Sequence, residues 1–124
     1  MKVLYVSGSP RKNSNTDVLL EAVRSVTGGK LIKLVDYKIA PCASCRACQG
    51  TGECVIKDDM SEIIMPLLFE SDGIVVGSPV FFNNVSAQLK AFIDRTWCIR
   101  GKLGNKVGGA VVVGRRYGLE STIT

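Results

Sequence analysis

The feature that most constrains this chain is the alternation of short β-rich apolar runs with stretches of helical period. The runs are KVLYVS (Lys2 to Ser7), KLIKLV (Lys30 to Val35), GIVVGS (Gly73 to Ser78) and VGGAVVVG (Val107 to Gly114). Each reads as a strand, and GIVVGS is nearly all apolar, as expected of a strand with both faces covered. Between them the period changes. A helix is predicted from Thr16 or Asp17 to about Val26, with Leu19, Val23 and Val26 inward and Gly28-Gly29 as its stop. A second follows Asp58 or Asp59, carrying Met60, Ile63, Ile64, Leu67 and Leu68 inward, with Pro66 kinking or shortening it. VSAQLKAFIDR gives a third, with Val85, Leu89, Phe92 and Ile93 inward. Regular alternation of strand and helix implies an α/β fold with a doubly wound parallel sheet. Only RRYGLESTIT follows the fourth run, too short for another helix, strand and helix. The expectation is a sheet lacking its last strand and helix, with the C-terminal part missing or the open edge covered by another subunit.

At 124 residues and 46% apolar composition, a single domain spanning 1–124 can build a core. No run approaches the length of a membrane span, and MKVLYVSGSPRK breaks into Gly and Pro too early for a signal peptide. A cytoplasmic protein is expected, a setting that disfavours disulfides. There is no histidine, which removes imidazole acid-base catalysis and every mixed Cys/His metal site. The net charge of +5 comes from scattered basic residues with few aromatics among them. That pattern describes a solvated basic surface, or one suited to an acidic protein partner, rather than a nucleic-acid or membrane site.

Ligands in open α/β sheets bind beyond the C-terminal ends of the strands. After the first run, GSPRKNSNT presents hydroxyls on Ser9, Ser14 and Thr16, amides on Asn13 and Asn15, and the Arg11 guanidinium. With the backbone N–H groups of a helix N-terminus, these suit a phosphate monoester. An ordinary capped turn uses the same residue types. After the third run, Pro79, Phe81 and Phe82 offer a flat apolar wall and Asn83 directed backbone hydrogen bonds. GRRYG, after the fourth, adds Tyr117 between two glycines, Gly114 and Gly118. A phosphate cradle beside a flat apolar wall fits flavin mononucleotide (FMN).

Four of the five cysteines stand in PCASCRACQGTGECVIKDDM, with Cys42, Cys45, Cys48 and Cys54 in the spacing C-x2-C-x2-C-x5-C. The opening matches the start of the bacterial ferredoxin run, in which three thiolates reach three corners of a cube. QGTGE is flexible enough to bring Cys54 back to the same group. Structural zinc is the rival, although its knuckles are usually farther apart. A segment without metal is the plain alternative. Cys98, beside Trp97, reads as a small buried hydrophobe.

SGSPRKNSNT, CASCRACQGTGECVIKDDM and DGIVVGSPVFFNNVSAQLKAFIDR together resemble the iron-sulfur flavoproteins, within the NAD(P)H-dependent FMN reductases of the flavodoxin-like fold. The resemblance implies that Ser9, Arg11, Ser14, Asn15 and Thr16 hold the FMN phosphate. Pro79, Val80, Phe81, Phe82 and Asn83 would border the ribityl chain and ring, with Arg116, Tyr117 and Gly118 approaching from the fourth strand. It further implies a 4Fe-4S cluster on Cys42, Cys45, Cys48 and Cys54, in an insert over 41–57, and a homodimer or homotetramer. The expected function is an FMN-dependent redox protein that exchanges electrons between a donor, ferredoxin or NAD(P)H, the cluster and FMN. The competing readings are an NAD(P)H-dependent flavin reductase with an empty cysteine site and a zinc-stabilised binding module.

Overall fold

The structure, a computed structural model, describes residues 1–124. The apolar runs form four parallel strands in the order β2-β1-β3-β4. All five residues of β1 (Val3–Ser7) are buried, because it lies between β2 and β3 with helices on both faces. α1 (Asn15–Thr27) follows, capped by Ser14 in a capping box with Asp17. β2 (Lys30–Lys33) ends two residues before the predicted limit, because Leu34 turns into a 3₁₀ turn (Leu34–Asp36) and is buried there.

The predicted inward face of α1 is corrected. Leu19, Val23 and Val26 are exposed, whereas Thr16 and Leu20 are buried. The helix crosses the sheet at Gly77, where an added Cβ would meet Leu20 Cδ1 at 2.7 Å and Thr16 Cγ2 at 2.9 Å. Close approach to that bare backbone seats a threonine at a core position that an apolar pattern does not mark.

Within the cysteine segment Cys48–Thr51 make one helical turn, α2. The next helix begins as a π turn over Met60–Ile64 and continues as α3 (Met65–Glu70). Pro66 lacks an N–H, and the widened turn, closed by the Met65 N–H on the Met60 carbonyl, carries the helix through it. The extra residue rotates the buried face onto Met60, Ile64, Met65 and Leu68, leaving Ile63 exposed and Leu67 half-buried.

β3 (Gly73–Pro79) pairs with both β1 and β4. α4 (Ala87–Arg95), capped by Ser86, buries Leu89, Phe92 and Arg95, while Ile93 faces out. A 3₁₀ turn over Thr96–Ile99 leads towards β4 (Val107–Val113), an edge strand whose first four residues are exposed. The residues beyond it form a short helix, α5 (Leu119–Ile123).

The core divides by sheet face. Leu4, Val6, Ile32 and Leu34 pack with Met60, Ile64, Leu68, Leu89 and Phe92, whereas Val3, Tyr5 and Leu20 form a thinner cluster under α1. No helix is long and apolar enough to cross a membrane.

Candidate functional site

Parallel register brings the strand ends together: Ser7 pairs with Gly77, and Pro79 with Val113. The loops that leave them are tied to one another. The Gly8 N–H donates to the Gly77 carbonyl (2.8 Å), the Ser86 hydroxyl to the Gly8 carbonyl (2.6 Å), and the Ser86 N–H to the Ser78 hydroxyl (3.0 Å). Gly8 has no room for a side chain, since a Cβ would lie 2.8 Å from Leu89 Cβ and 2.9 Å from Ser86 Oγ.

In the loop after β1, Ser9 and Thr16 are almost fully buried and Ser14 nearly so, while Arg11 and Asn15 are exposed. The Ser14 hydroxyl accepts from the Asp17 N–H, so the capped-turn reading holds for this residue. Its O–H remains free to donate.

Two side chains that sequence reasoning missed brace this loop. Asp17 accepts from the Ser7 hydroxyl (2.5 Å) and from Lys33 Nζ (2.5 Å), and the same ammonium donates to the Arg11 carbonyl (2.7 Å). Burial pushes the Asp17 carboxyl up, but hydrogen bonds from Lys33, Ser7 and Ser14 outweigh it and hold the group below its ordinary value. The capping-box spacing could have flagged Asp17. Nothing local marks Lys33, which reaches it from β2.

The loop after β3 is a tight turn. Phe81 and Asn84 exchange backbone hydrogen bonds, and Phe82 and Asn83 between them have φ of +49° and +61°. Two successive positive φ angles define a type I′ turn, which favours Asn-Gly, and an aromatic residue there is strained. Phe82 is fully exposed and Phe81 partly so, so neither packs into the core. Phe82 faces a cavity of about 590 Å³ with Val80, Asn83, Arg115, Arg116 and Tyr117. Gly118, at φ +83°, lets the third loop close on the second, because a Cβ there would meet Asn83 Oδ1 at 2.7 Å and Val80 Cγ1 at 2.8 Å. The Ser121 hydroxyl fastens the same contact by donating to the Asn83 carbonyl (3.0 Å). Val80, Phe82, Asn83, Arg116 and Tyr117 thus share one cavity. Phe81, Pro79 and the Ser9 loop are not part of its wall.

The four cysteines of the run line a different cavity, of about 970 Å³, together with Trp97, Arg46 and Arg100. Cys42 and Cys45 are exposed, whereas Cys48 and Cys54 pack against the core. Ser44 and Arg46 have φ of +53° and +60°, so the chain reverses between successive thiols. The sulfurs are spread over the cavity wall and do not form a preformed metal-ligating group. Cys98 is buried, and its thiol donates to the Arg95 carbonyl (3.3 Å). Burial, then the nearby Cys54 and Cys48, push that thiol up and keep it protonated.

The neck of the cysteine loop is held by Asp58 and Arg95. Asp58 accepts from the Ala40 N–H (2.9 Å) and pairs with the buried Arg95 guanidinium at 2.7 and 2.9 Å. Burial pushes the Asp58 carboxyl up, yet Arg95 and the N–H groups of Ala40 and Ser61 bring it down to about 2.

A family model described as NADPH-dependent FMN reductase matches residues 1–123. Among similar proteins, the iron-sulfur flavoprotein of Methanocaldococcus jannaschii is 46% identical over 99% of the chain, and that of Methanosarcina thermophila 41% over 99%. The chain spans 68% and 69% of their respective lengths. Among solved structures, RosB with a bound 8-demethyl-8-formylriboflavin-5'-phosphate intermediate superposes with a TM-score of 0.77 at 15% identity, covering 98% of this chain and 55% of RosB. The WrbA-like protein of Agrobacterium tumefaciens gives 0.66 at 21%, covering 98% and 66%. These two share the flavodoxin-like fold. With the family model and iron-sulfur flavoproteins both matching nearly the whole sequence, the chain belongs to the NADPH-dependent FMN reductase family of oxidoreductases.

Proposed function

We propose that this chain is a single FMN-binding domain whose cysteine loop, over 41–57, holds a 4Fe-4S cluster, and that it passes electrons between a one-electron donor, the cluster and FMN. The observation that carries the reading is that Cys42, Cys45, Cys48 and Cys54 all line one cavity, while Cys98 is buried in the core and is not part of its wall. The residues present fit the group. The donors are all sulfur, there is no imidazole, and Arg46, Arg95 and Arg100 stand near enough to offset the negative charge of a thiolate-ligated cluster.

For FMN, Ser9, Arg11, Ser14, Asn15 and Thr16 are the residues to hold the phosphate, at the N-terminus of a 13-residue helix. Lys33 and Asp17 would fix the loop without touching the ligand. Phe82 and Tyr117 supply flat apolar surface for the ring, Val80 and Asn83 border it, and Arg116 and Gly118 shape the third side; Pro79 and Phe81 support the turn that presents Phe82. When bound, flavin exchanges hydride or single electrons and the cluster single electrons. No side chain need act as acid or base. The +5 charge favours an acidic donor such as ferredoxin, mainly through association rate, with NAD(P)H the alternative donor to flavin.

Anaerobic purification followed by iron, sulfide, zinc and flavin analysis tests the reading. A brown protein with matched iron and sulfide is expected, with both lost in Cys54→Ser and retained in Cys98→Ser. A yellow protein without iron would make it a plain flavin reductase, and zinc without sulfide or flavin a binding module. Reduced ferredoxin should reduce the flavin faster than NADPH, and Cys45→Ser should abolish that advantage. NADPH reduction undiminished in that variant, with no response to ferredoxin, would refute the coupling.

A further inference from the structure

Arg95 is 2% exposed and lies at the C-terminal end of α4, yet its hydrogen bonds all go to the neck of the cysteine loop. One terminal nitrogen donates to the Ala40 carbonyl (2.8 Å) and to Asp58 (2.7 Å). The other donates to Asp58 (2.9 Å), the Ile56 carbonyl (3.3 Å) and the Ser61 hydroxyl (3.1 Å). Ala40 stands two residues before Cys42, and Ile56 two residues after Cys54, so one guanidinium bridges both ends of the ligand run. Its fifth N–H is different. Nε is the buried side-chain nitrogen left without a hydrogen-bond partner. A buried donor left unpaired is costly and asks for an acceptor. The Cys54 sulfur stands beside the same guanidinium.

We propose that Arg95 is a positioning residue for the four-thiolate site, clamping the neck of the loop and donating its free Nε–H to the Cys54 sulfur when that sulfur is a metal-bound thiolate. The inference rests on the cluster reading above. Its chemistry is that of an outer-shell donor: a hydrogen bond to a ligating sulfur stabilises the more negative, reduced form and raises the reduction potential. The four N–H groups of the two terminal nitrogens are shared among the Asp58 carboxylate, the Ser61 hydroxyl and the carbonyls of Ala40 and Ile56, and only the Nε–H remains for sulfur.

Arg95→Lys separates this role from simple packing. The ammonium can still reach Asp58, but a methylene replaces Nε. Cluster-loaded parent and variant are compared by EPR-monitored redox titration and by pulsed EPR of protein grown with arginine labelled with ¹⁵N at Nε. The parent should show coupling between the reduced cluster and the labelled nitrogen. Arg95→Lys should lose it and titrate at a lower potential, with iron affinity reduced about 10- to 100-fold. Should Arg95→Lys fail to fold, the Arg46→Lys/Arg100→Lys variant gives the answer, because coupling must survive there. An iron-replete parent without coupling, or coupling that persists in Arg95→Lys or vanishes in Arg46→Lys/Arg100→Lys, overturns the assignment while leaving the cluster. A parent that binds no iron overturns the cluster reading and the assignment with it.

Discussion

Replacing Asp58 by Asn should be among the most damaging changes available outside the hydrophobic core. The carboxylate is 11% exposed and its partner guanidinium 1%, so solvent screens the pair little. An aspartate lowered from 3.8 to about 2 gains about 2 kcal/mol in its ionised form relative to the unfolded chain. Because the folded value is the lower one, this stability is present above pH 3.8 and is lost as pH falls towards 2. The variant loses more than this, since Arg95 keeps its buried charge with no counter-ion. Breaking one partner of a buried pair costs about 3–5 kcal/mol, a large share of the roughly 5–15 kcal/mol that holds a domain folded. Urea unfolding followed by circular dichroism, at pH 7 and stepwise to pH 2.5, measures both quantities. The parent should weaken by about 2 kcal/mol over the acid steps on this account, and Asp58→Asn should start lower and lack that component. A loss under about 1 kcal/mol at pH 7, or an undiminished acid component in the variant, would show that the pair does not clamp the loop.

Phe82→Gly should stabilise the isolated fold by about 1 kcal/mol, because the φ of +49° strains any residue with a Cβ, while weakening FMN binding. Thermal unfolding without flavin and flavin-fluorescence titration read the two effects, and a lower melting temperature would contradict the strain. Gly8→Ala should cost about 1–3 kcal/mol, because its methyl group would press on Leu89 Cβ and Ser86 Oγ. Denaturant midpoints check this, and an unchanged midpoint would mean that the loop and α4 are not packed as described.

The strands were legible because each carries its own signal, a short β-rich apolar run closed by a turn. Their parallel pairing followed from the alternation, whereas their order, β2-β1-β3-β4, is seen only in the structure. The helix faces were less legible, for two separate reasons. In α1 the buried position belongs to Thr16 because Gly77 lies beneath it, a fact recorded on a strand more than sixty residues away in sequence. In the segment after Asp58, the helix widens over Met60–Ile64 ahead of Pro66, so a regular 3.6-residue period places Ile63 inside when it is outside. The loop residues were nameable by type, yet their braces were not. Lys33 reads as an ordinary strand-end lysine until the fold sets it against Asp17 and Arg11.

Arg95 shows why such braces escape a linear reading and what they add to function. In AFIDR it looks like the polar end of an amphipathic helix, and its partner Asp58 is 37 residues earlier. In space, α4 has a separate task at each end. Ser86, its N-cap, ties the loop after β1 to the end of β3 through Gly8 and Ser78, while Arg95 closes the neck of the cysteine run. The two anchors are separated by nine helical steps, about 14 Å at 1.5 Å per residue. A helix of that length packed by Leu89 and Phe92 is stiff against bending. The strand-end loops and the cysteine loop are therefore held in fixed relation by one element whose ends carry polar anchors and whose middle carries the core. This arrangement lets the cysteine loop remain open and largely exposed while its base stays in register with the sheet.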